Sequence, residues 1–383
     1  MRFSTTRLLT AVAAALAALV LLAPAALAQT APWSLVTSPN ASPGNNQLNA
    51  VTSITASDVW AVGSAENSLG NDQPLAEHWN GTAWAVVPTP AVVTGTFSGV
   101  AAISSTDVWA GGGFLLSRRG NTAQFEHWNG RKWSVAKSPA VSGASISGMA
   151  AVSSTDVWTV GRSLTSTGVA QTLIEHWNGR NWSVVTSPNA SAQNNLLAGV
   201  TAISANDIWA VGDFQTSSSA GTVFQTLTEH WNGTAWSIVA SPSGVGPGAG
   251  LNGVAAVSAS DVWAVGDSGS GTLIEQWNGT SWAVVPSPNP STAVFSTLSG
   301  AAVVSASDIW AVGQSQNSSG IPATLIERWS GTSWTIVTSP APGSASQLSG
   351  ASADPASGQA WAVGNSTPAA AGAATQTLTE FNP

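Results

Sequence analysis

Eighteen carboxylates and four histidines are the groups in this chain that could act as acids, bases or metal ligands, and most of them recur at one interval. Aspartate precedes Val/Ile-Trp at Asp58, Asp107, Asp156, Asp207, Asp261 and Asp308. Glutamate follows downstream at Glu77, Glu126, Glu175, Glu229, Glu275, Glu327 and Glu380. The next position holds His78, His127, His176 and His230, then Gln276 and Arg328. Histidines on four separate copies of a repeat cannot converge on one ion whose ligands stand about 2 Å away, so no metal site is expected. A residue present in every copy is expected to be scaffold. The aspartates would accept hydrogen bonds from the N–H groups of their own turns, and the glutamates would make one structural hydrogen bond repeated in each copy. Five acids lie outside the repeat: Glu66, Asp72, Asp213, Asp267 and Asp354. They keep a carboxylate-pair hydrolase open. There is no Gly-x-Ser-x-Gly elbow, no His-Glu-x-x-His and no Gly-Lys-Ser/Thr phosphate loop. No catalytic residue and no cofactor follows from this inventory.

The elements that carry these groups are legible from the tryptophans. Trp60, Trp109, Trp158, Trp209, Trp263, Trp310 and Trp361 succeed one another at intervals of 47 to 54 residues. Six copies continue into Trp-(Asn/Ser)-Gly-x-x-Trp, as in Trp79 to Trp84 and Trp329 to Trp334. Each copy reads as four short strands. The innermost is small and apolar (Gly99 to Ile103), the second is Asp107-Val108-Trp109, and Leu173 to Trp177 exemplifies the third. Asn178-Gly179 is a hairpin signal into the fourth. Such units exclude Leu-rich and ankyrin-type solenoids. The seventh copy stops before its fourth strand, and Pro32 to Pro39 matches that missing piece. With Trp33 included, all 20 tryptophans sit at repeat positions. The expected fold is all-β: a seven-bladed propeller of four-stranded antiparallel blades, closed by the N-terminal strand. Blades are expected near 48–90, 97–139, 146–188, 196–242, 251–288, 298–340 and 348–383 plus 32–39. Buried between blades, each indole removes about 150–250 Å² from water, worth roughly 4–6 kcal/mol.

The start of the chain reads as a secretory signal. Arg2 and Arg7 precede an apolar stretch from Leu8 to Leu22, and Ala26-Leu27-Ala28 fits a cleavage site after Ala28. That apolar stretch is short for a membrane span, which needs about 20 residues. A secreted single domain, 29–383, is expected, with no membrane insertion once the signal is removed. The leader holds two of the ten basic residues and none of the eighteen acidic ones, so the rest of the chain carries −10. This balance argues against nucleic acid as a partner. Cysteine is absent, so no disulfide can form. A chain this long buries its core without one, and a monomer is expected.

In its motifs the repeat resembles the kelch-type propeller family. Asp-Val-Trp-Ala-Val-Gly resembles the kelch second strand, which ends in glycine. Glu-His-Trp-Asn-Gly-x-x-Trp-Ser-Val-Val-x-Ser-Pro is similar to its third strand, turn and fourth strand. The pattern runs through residues 33–383. The kelch glycine doublet occurs only at Gly111-Gly112, and tryptophan replaces the kelch tyrosine. The Gly-x-x-Trp turn is also similar to Asp-box and photosystem-assembly-factor propellers, although Trp holds the Asp-box aspartate position. The resemblance implies a fold and no particular activity. Galactose-oxidase-like kelch enzymes use copper with tyrosine and cysteine, and sialidase-type propellers use a tyrosine nucleophile. This chain has neither residue.

Loop lengths indicate where a ligand would sit. Turns between first and second strands, and between third and fourth, are short and uniform. From the second-strand glycine to the glutamate, 8 to 16 residues intervene, and the fourth-to-first loops also vary. Both variable sets emerge on one face of the disc, and loops on a rigid scaffold are where binding resides. On that face the residue after the glycine is Arg162, Asp213 and Asp267 on three consecutive blades. These residues form either a polar pocket at the ring mouth or a surface ion pair. Phe114 with Arg118 and Arg119 in blade two, and Phe214 in blade four, are further candidate contacts. The expected function is a non-catalytic exported binding or scaffold propeller that holds a protein or carbohydrate. The alternative is a secreted carbohydrate-active hydrolase or lyase using the loop acids.

Overall fold

The structure, a computed structural model, describes residues 33–383 except 116–120, 219–220, 244–247 and 270. The described strands form seven four-stranded antiparallel sheets. Blade 1 runs outward through β2 (Asn46–Thr55), β3 (Asp58–Glu66), β4 (Asp72–Trp79) and β5 (Trp84–Val86). Blades 2 to 6 repeat this order over 94–136, 145–185, 195–238, 250–284 and 295–337. Blade 7 takes β26 (Ala345–Asp354), β27 (Gln359–Thr367) and β28 (Gln376–Asn382) from the end of the chain. Its outer strand is β1 (Ser34–Leu35), with Ser34 opposite Phe381 and Leu35 opposite Glu380. The seven-bladed ring closed by the N-terminal strand is therefore present.

A blade is flanked on both faces by its neighbours, so its second strand is buried on both sides. This is why Asp-Val-Trp-Ala-Val-Gly is apolar without alternation. Val59, Ala61 and Val62 have no exposed surface. The hydrophobic core is consequently divided into seven clusters, each drawing residues from two consecutive blades. The tryptophans form its repeating unit. Trp109 of blade 2 meets Trp177 and Trp182 of blade 3 with ring centroids 4.8 and 5.3 Å apart, the second pair edge-to-face. At the closure seam Trp361 of blade 7 meets Trp79 and Trp84 of blade 1 at 5.0 and 5.2 Å. Such pairs contribute about 0.5–1.5 kcal/mol beyond burial.

The Asn-Gly hairpins are built as four-residue loops between paired tryptophans. Trp79 stands opposite Trp84, Asn80 Oδ1 accepts the Thr82 and Ala83 N–H groups at 3.0 Å, and Gly81 takes φ +91°.

The second-strand glycine has a steric explanation. Each inner strand carries a bulge beside it, which swings a carbonyl onto the glycine, and a Cβ at Gly266 would fall on the Gly250 carbonyl oxygen. The same holds at all seven positions. A backbone carbonyl cannot yield, so Gly266→Ala should lower stability by about 1–3 kcal/mol in a denaturant titration. An unchanged midpoint would refute this packing.

At the axis the inner strands approach one another backbone to backbone, and a Cβ at Gly300 would stand 2.9 Å from the Ala351 nitrogen. The resulting channel, about 160 Å³, is lined by Gly, Ser, Ala, Val, Met and Asn and by no titratable side chain. The channel therefore supplies no acid–base chemistry.

Candidate functional site

The repeated acids fall into two structural sets. Each aspartate at the start of a second strand reaches diagonally to the third strand of its own blade. Asp58, Asp107, Asp156 and Asp207 bond His78, His127, His176 and His230 at 2.7–2.8 Å. Gln276 and Arg328 donate to Asp261 and Asp308 at 2.8 Å in the same manner. This corrects the expected turn cap. In several blades a serine or threonine hydroxyl takes the turn N–H instead, as Ser104 does from Thr106. Each histidine ring also lies against the second-strand indole, His127 on Trp109 at 4.4 Å. The four histidines are thus held in four blades, and no group of three metal-ligating side chains occurs among the described residues.

The seven repeated glutamates are completely buried at the blade seams. Two of the seven meet a hydroxyl from the Ser-Pro segment that ends the preceding blade, so the hydrogen bond expected in every copy is not repeated around the ring. Ser187 of blade 3 stands 2.9 Å from Glu229 of blade 4, and Ser339 of blade 6 stands 2.9 Å from Glu380 of blade 7. Ser187 and Ser339 bond on to Thr172 and Thr324 at 2.8 Å, and these donate to the carbonyls of Pro188 and Pro340. At Glu77 and Glu275 the approach of Ser38 and Ser241 stops short of full hydrogen-bond geometry, as does that of Thr272 at Glu327. Glu126 accepts from Gln124 of its own blade at 3.2 Å. No cation faces any of the seven among the described residues. Burial without a counter-charge penalises the ionised form. It pushes Glu77, Glu175, Glu229, Glu275, Glu327 and Glu380 up to about 8, and Glu126 to about 7. Six of these groups are mostly protonated seam elements at neutral pH, and Glu126 titrates there.

The remaining acids are the five that lie outside the repeat. Asp354 caps its turn on the short-turn face, bonded to Ser357 Oγ at 2.8 Å. The other four are on the variable face. Asp213 lies on β15 (Asp207–Ser218) opposite Leu196, and Asp267 ends β19 (Asp261–Asp267) opposite Gly250. Gly250 lies beside Asp213, where a Cβ would make an ordinary 3.6 Å contact with that of the aspartate. Burial, and then the negative charge of Asp267, raise Asp213 to about 6. Asp267 is itself raised by burial, offset by the Gly269 N–H at 3.2 Å and the Thr297 hydroxyl at 3.1 Å. Asp267→Asn should therefore lower the Asp213 midpoint, read from carboxyl ¹³C shifts against pH. An unmoved midpoint would separate the two groups.

Arg162 is exposed and pairs with neither carboxylate among the described residues. Asp213 thus lies within the electrostatic reach of Asp267, and Arg162 pairs with neither among the described residues. Phe114 is only 1% exposed and packs on Phe97, so it serves the seam between blades 1 and 2 rather than standing free. Phe214 is half-buried against the seam between blades 3 and 4. Arg118 and Arg119 lie outside the described residues.

Among the described residues, cavities occur that the sequence does not announce. One of about 440 Å³ lies between blades 7 and 1, lined by Asn45, Gln47, Glu66, Asp72, Asn365 and Thr375 among others. Another, about 330 Å³, lies between the variable loops of blades 6 and 7 beside Ile321. Their only sequence signal was that Glu66 and Asp72 fall outside the repeat. The variable face also exposes Leu69 (82%), Val93 (60%), Val294 (58%) and Ile321 (45%).

The fold is shared with solved propellers at low sequence identity. YCF48 from Cyanidioschyzon merolae is 16% identical over 92% of this chain and 99% of its own, with a TM-score of 0.56. YCF48 bound to D1 peptide is 14% identical over 92% and 96%, TM-score 0.55. The RRP9 WD40 repeats are 10% identical over 92% and 97%, TM-score 0.59. This likeness defines the chain as a β-propeller, without selecting the kelch type. No family profile matches the sequence, and no curated protein matches it.

Proposed function

We propose that this chain is an exported, non-catalytic binding propeller that holds a protein or glycan on its variable-loop face. One observation carries the reading: the repeated acids and histidines are committed to seams and to cross-strand pairs within blades. What remains uncommitted lies on the face with cavities and exposed apolar side chains. Small cavities rimmed by polar groups on a rigid frame suit recognition. A propeller of this fold, YCF48, has been solved with a D1 peptide bound. Kelch-type ancestry is part of the proposal, on the repeat motifs alone. Export rests on the leader ending at Ala28, and N-terminal sequencing of protein recovered from the medium should begin at Gln29.

The test is display of the whole chain against glycan and peptide arrays, beside a variant with loops 67–71 and 317–321 shortened. Binding should weaken in the variant, and binding that survives unchanged would move the site off this face. The Asp213–Asp267 coupling favours one second reading, glycoside hydrolysis or elimination with Asp213 as the acid. Loss of a measured glycan-cleaving activity in Asp213→Asn would establish it, and no cleavage of any arrayed glycan would remove it.

A further inference from the structure

Blade 1 stands between two cavities that share Asp72. The first crosses the closure seam, with Asn45, Gln47 and Glu66 on the blade 1 side and Asn365 and Thr375 on blade 7. The second, about 260 Å³, continues over Thr94, Thr96 and Gly113 of blade 2 and is floored by Phe114. Gly95 is required there, because the Phe114 ring fills the space a Cβ would take. Together they form a trough with Asp72, which is exposed, at its middle.

Asn45 Nδ2 donates to Glu66 Oε2 at 2.6 Å, and Asn45 Oδ1 accepts the Thr375 N–H across the seam at 3.0 Å. Gln347 donates to Asn365 Oδ1 at 3.0 Å, which fixes that amide and leaves its N–H groups uncommitted. Gln47 donates to Ser64 Oγ at 3.2 Å and keeps its carbonyl oxygen. Among the described residues the Asp72 carboxylate receives only the long Ser64 contact at 3.5 Å. Acceptors on Asp72, Glu66 and Gln47 therefore stand near an amide donor, a mixed set that matches vicinal hydroxyls, each both donor and acceptor. Among the described residues no lysine or arginine lines either cavity, so an anionic ligand would meet the Asp72 and Glu66 carboxylates with no cation from those residues.

We propose that this trough binds a neutral oligosaccharide, its hydroxyls read by Asp72, Glu66, Gln47 and Asn365. The proposal rests on the variable face being the binding face and names a site and ligand class there. The sugar would touch blades 7 and 1 together, and blade 7 is completed only by the pairing of β1 with β28. Binding should therefore raise the melting temperature as well as show heat.

Linear hexasaccharides of glucose, mannose and N-acetylglucosamine, with a hexauronate as the charged comparison, would be titrated into the whole chain by calorimetry and thermal melting. At least one neutral sugar should bind and raise the melting point, and the uronate should not. Asp72→Ala and Asn365→Ala should each weaken binding about 10-fold or more, the usual cost of a lost hydrogen bond to or near a charged group. Asp354→Asn on the opposite face should leave it unchanged. Tryptophan fluorescence would confirm that each variant is folded. No binding of any neutral hexasaccharide overturns the proposal, as does binding untouched by both trough variants. In either case loop-dependent capture of another arrayed ligand would leave the binding face standing, whereas loss of loop dependence would remove both.

Discussion

The folded ring is expected to be most stable in mild acid and to lose stability steeply as pH rises toward about 8. The seven seam glutamates have an ordinary value of 4.5 and are raised to about 8, or about 7 for Glu126, in the folded ring. Below 4.5 both folded and unfolded chains hold these protons, and the seam contribution is fully present. Between 4.5 and 8 the unfolded chain releases them while the ring retains them, so stability falls with each increment of pH. Above both values the contribution is gone. A shift of only one unit is worth about 1.4 kcal/mol, and seven such shifts would total about 10 kcal/mol. That rivals the whole stability of an ordinary domain, about 5–15 kcal/mol. Melting temperature should therefore drop strongly between about pH 5 and about pH 9. Glu275→Gln, which keeps the shape and removes the proton, should raise the melting point at the alkaline end and flatten the slope. A melting point independent of pH would contradict buried neutral acids.

Removal of the N-terminal strand should have an effect of similar size. Deleting residues through Pro39 takes away Trp33, which is 3% exposed and edge-on to Trp310 at 5.2 Å. It also removes the Ser38 hydroxyl between Thr377 and Glu77, and the Val36 N–H that bonds the Thr379 carbonyl at 3.0 Å. The indole alone accounts for roughly 4–6 kcal/mol of burial. Blade 7 would then expose the outer edge of β28, a template for pairing with another chain. The truncated chain should melt far lower and aggregate on heating, while Trp33→Ala should lose about 3–5 kcal/mol with the strand still in place. A truncated chain as stable and monodisperse as the full one would refute closure by β1.

The ring was legible because its tryptophans are both numerous and regular, and because the unfinished seventh copy had its complement at the other end of the chain. The Asn-Gly turns were legible for the same reason. The partners of the acids were harder to read. Asp58 and His78 are 20 residues apart, and only the strand register brings them to the same face. The glutamates were recognised as structural, but their neutrality depends on burial by the neighbouring blade, which one repeat does not display. Phe114 is a strand-end residue by position, yet Gly95 makes room for its ring to turn inward. Arg162 and Asp213 hold equivalent positions on adjacent blades, but Leu196, the cross-strand partner of Asp213, is not polar and builds no bridge between them. The trough beside blade 1 depends on Asn45, Gln47 and Asn365, which belong to no motif and acquire meaning only when the seam closes.

The repeated glutamates belong to the scaffold as neutral seam groups and the repeated aspartates as cross-strand partners, which leaves the loop face for the proposed recognition. The most direct measurement is ¹³C NMR of glutamate-labelled protein at about pH 6, below the folded values and above the ordinary one. Seven glutamate carboxyl signals should lie in the protonated range, Glu126 moving first near pH 7 and the other six as the pH approaches 8 or the ring unfolds. Seven signals already ionised at about pH 6, in a folded ring, would contradict neutral seam groups.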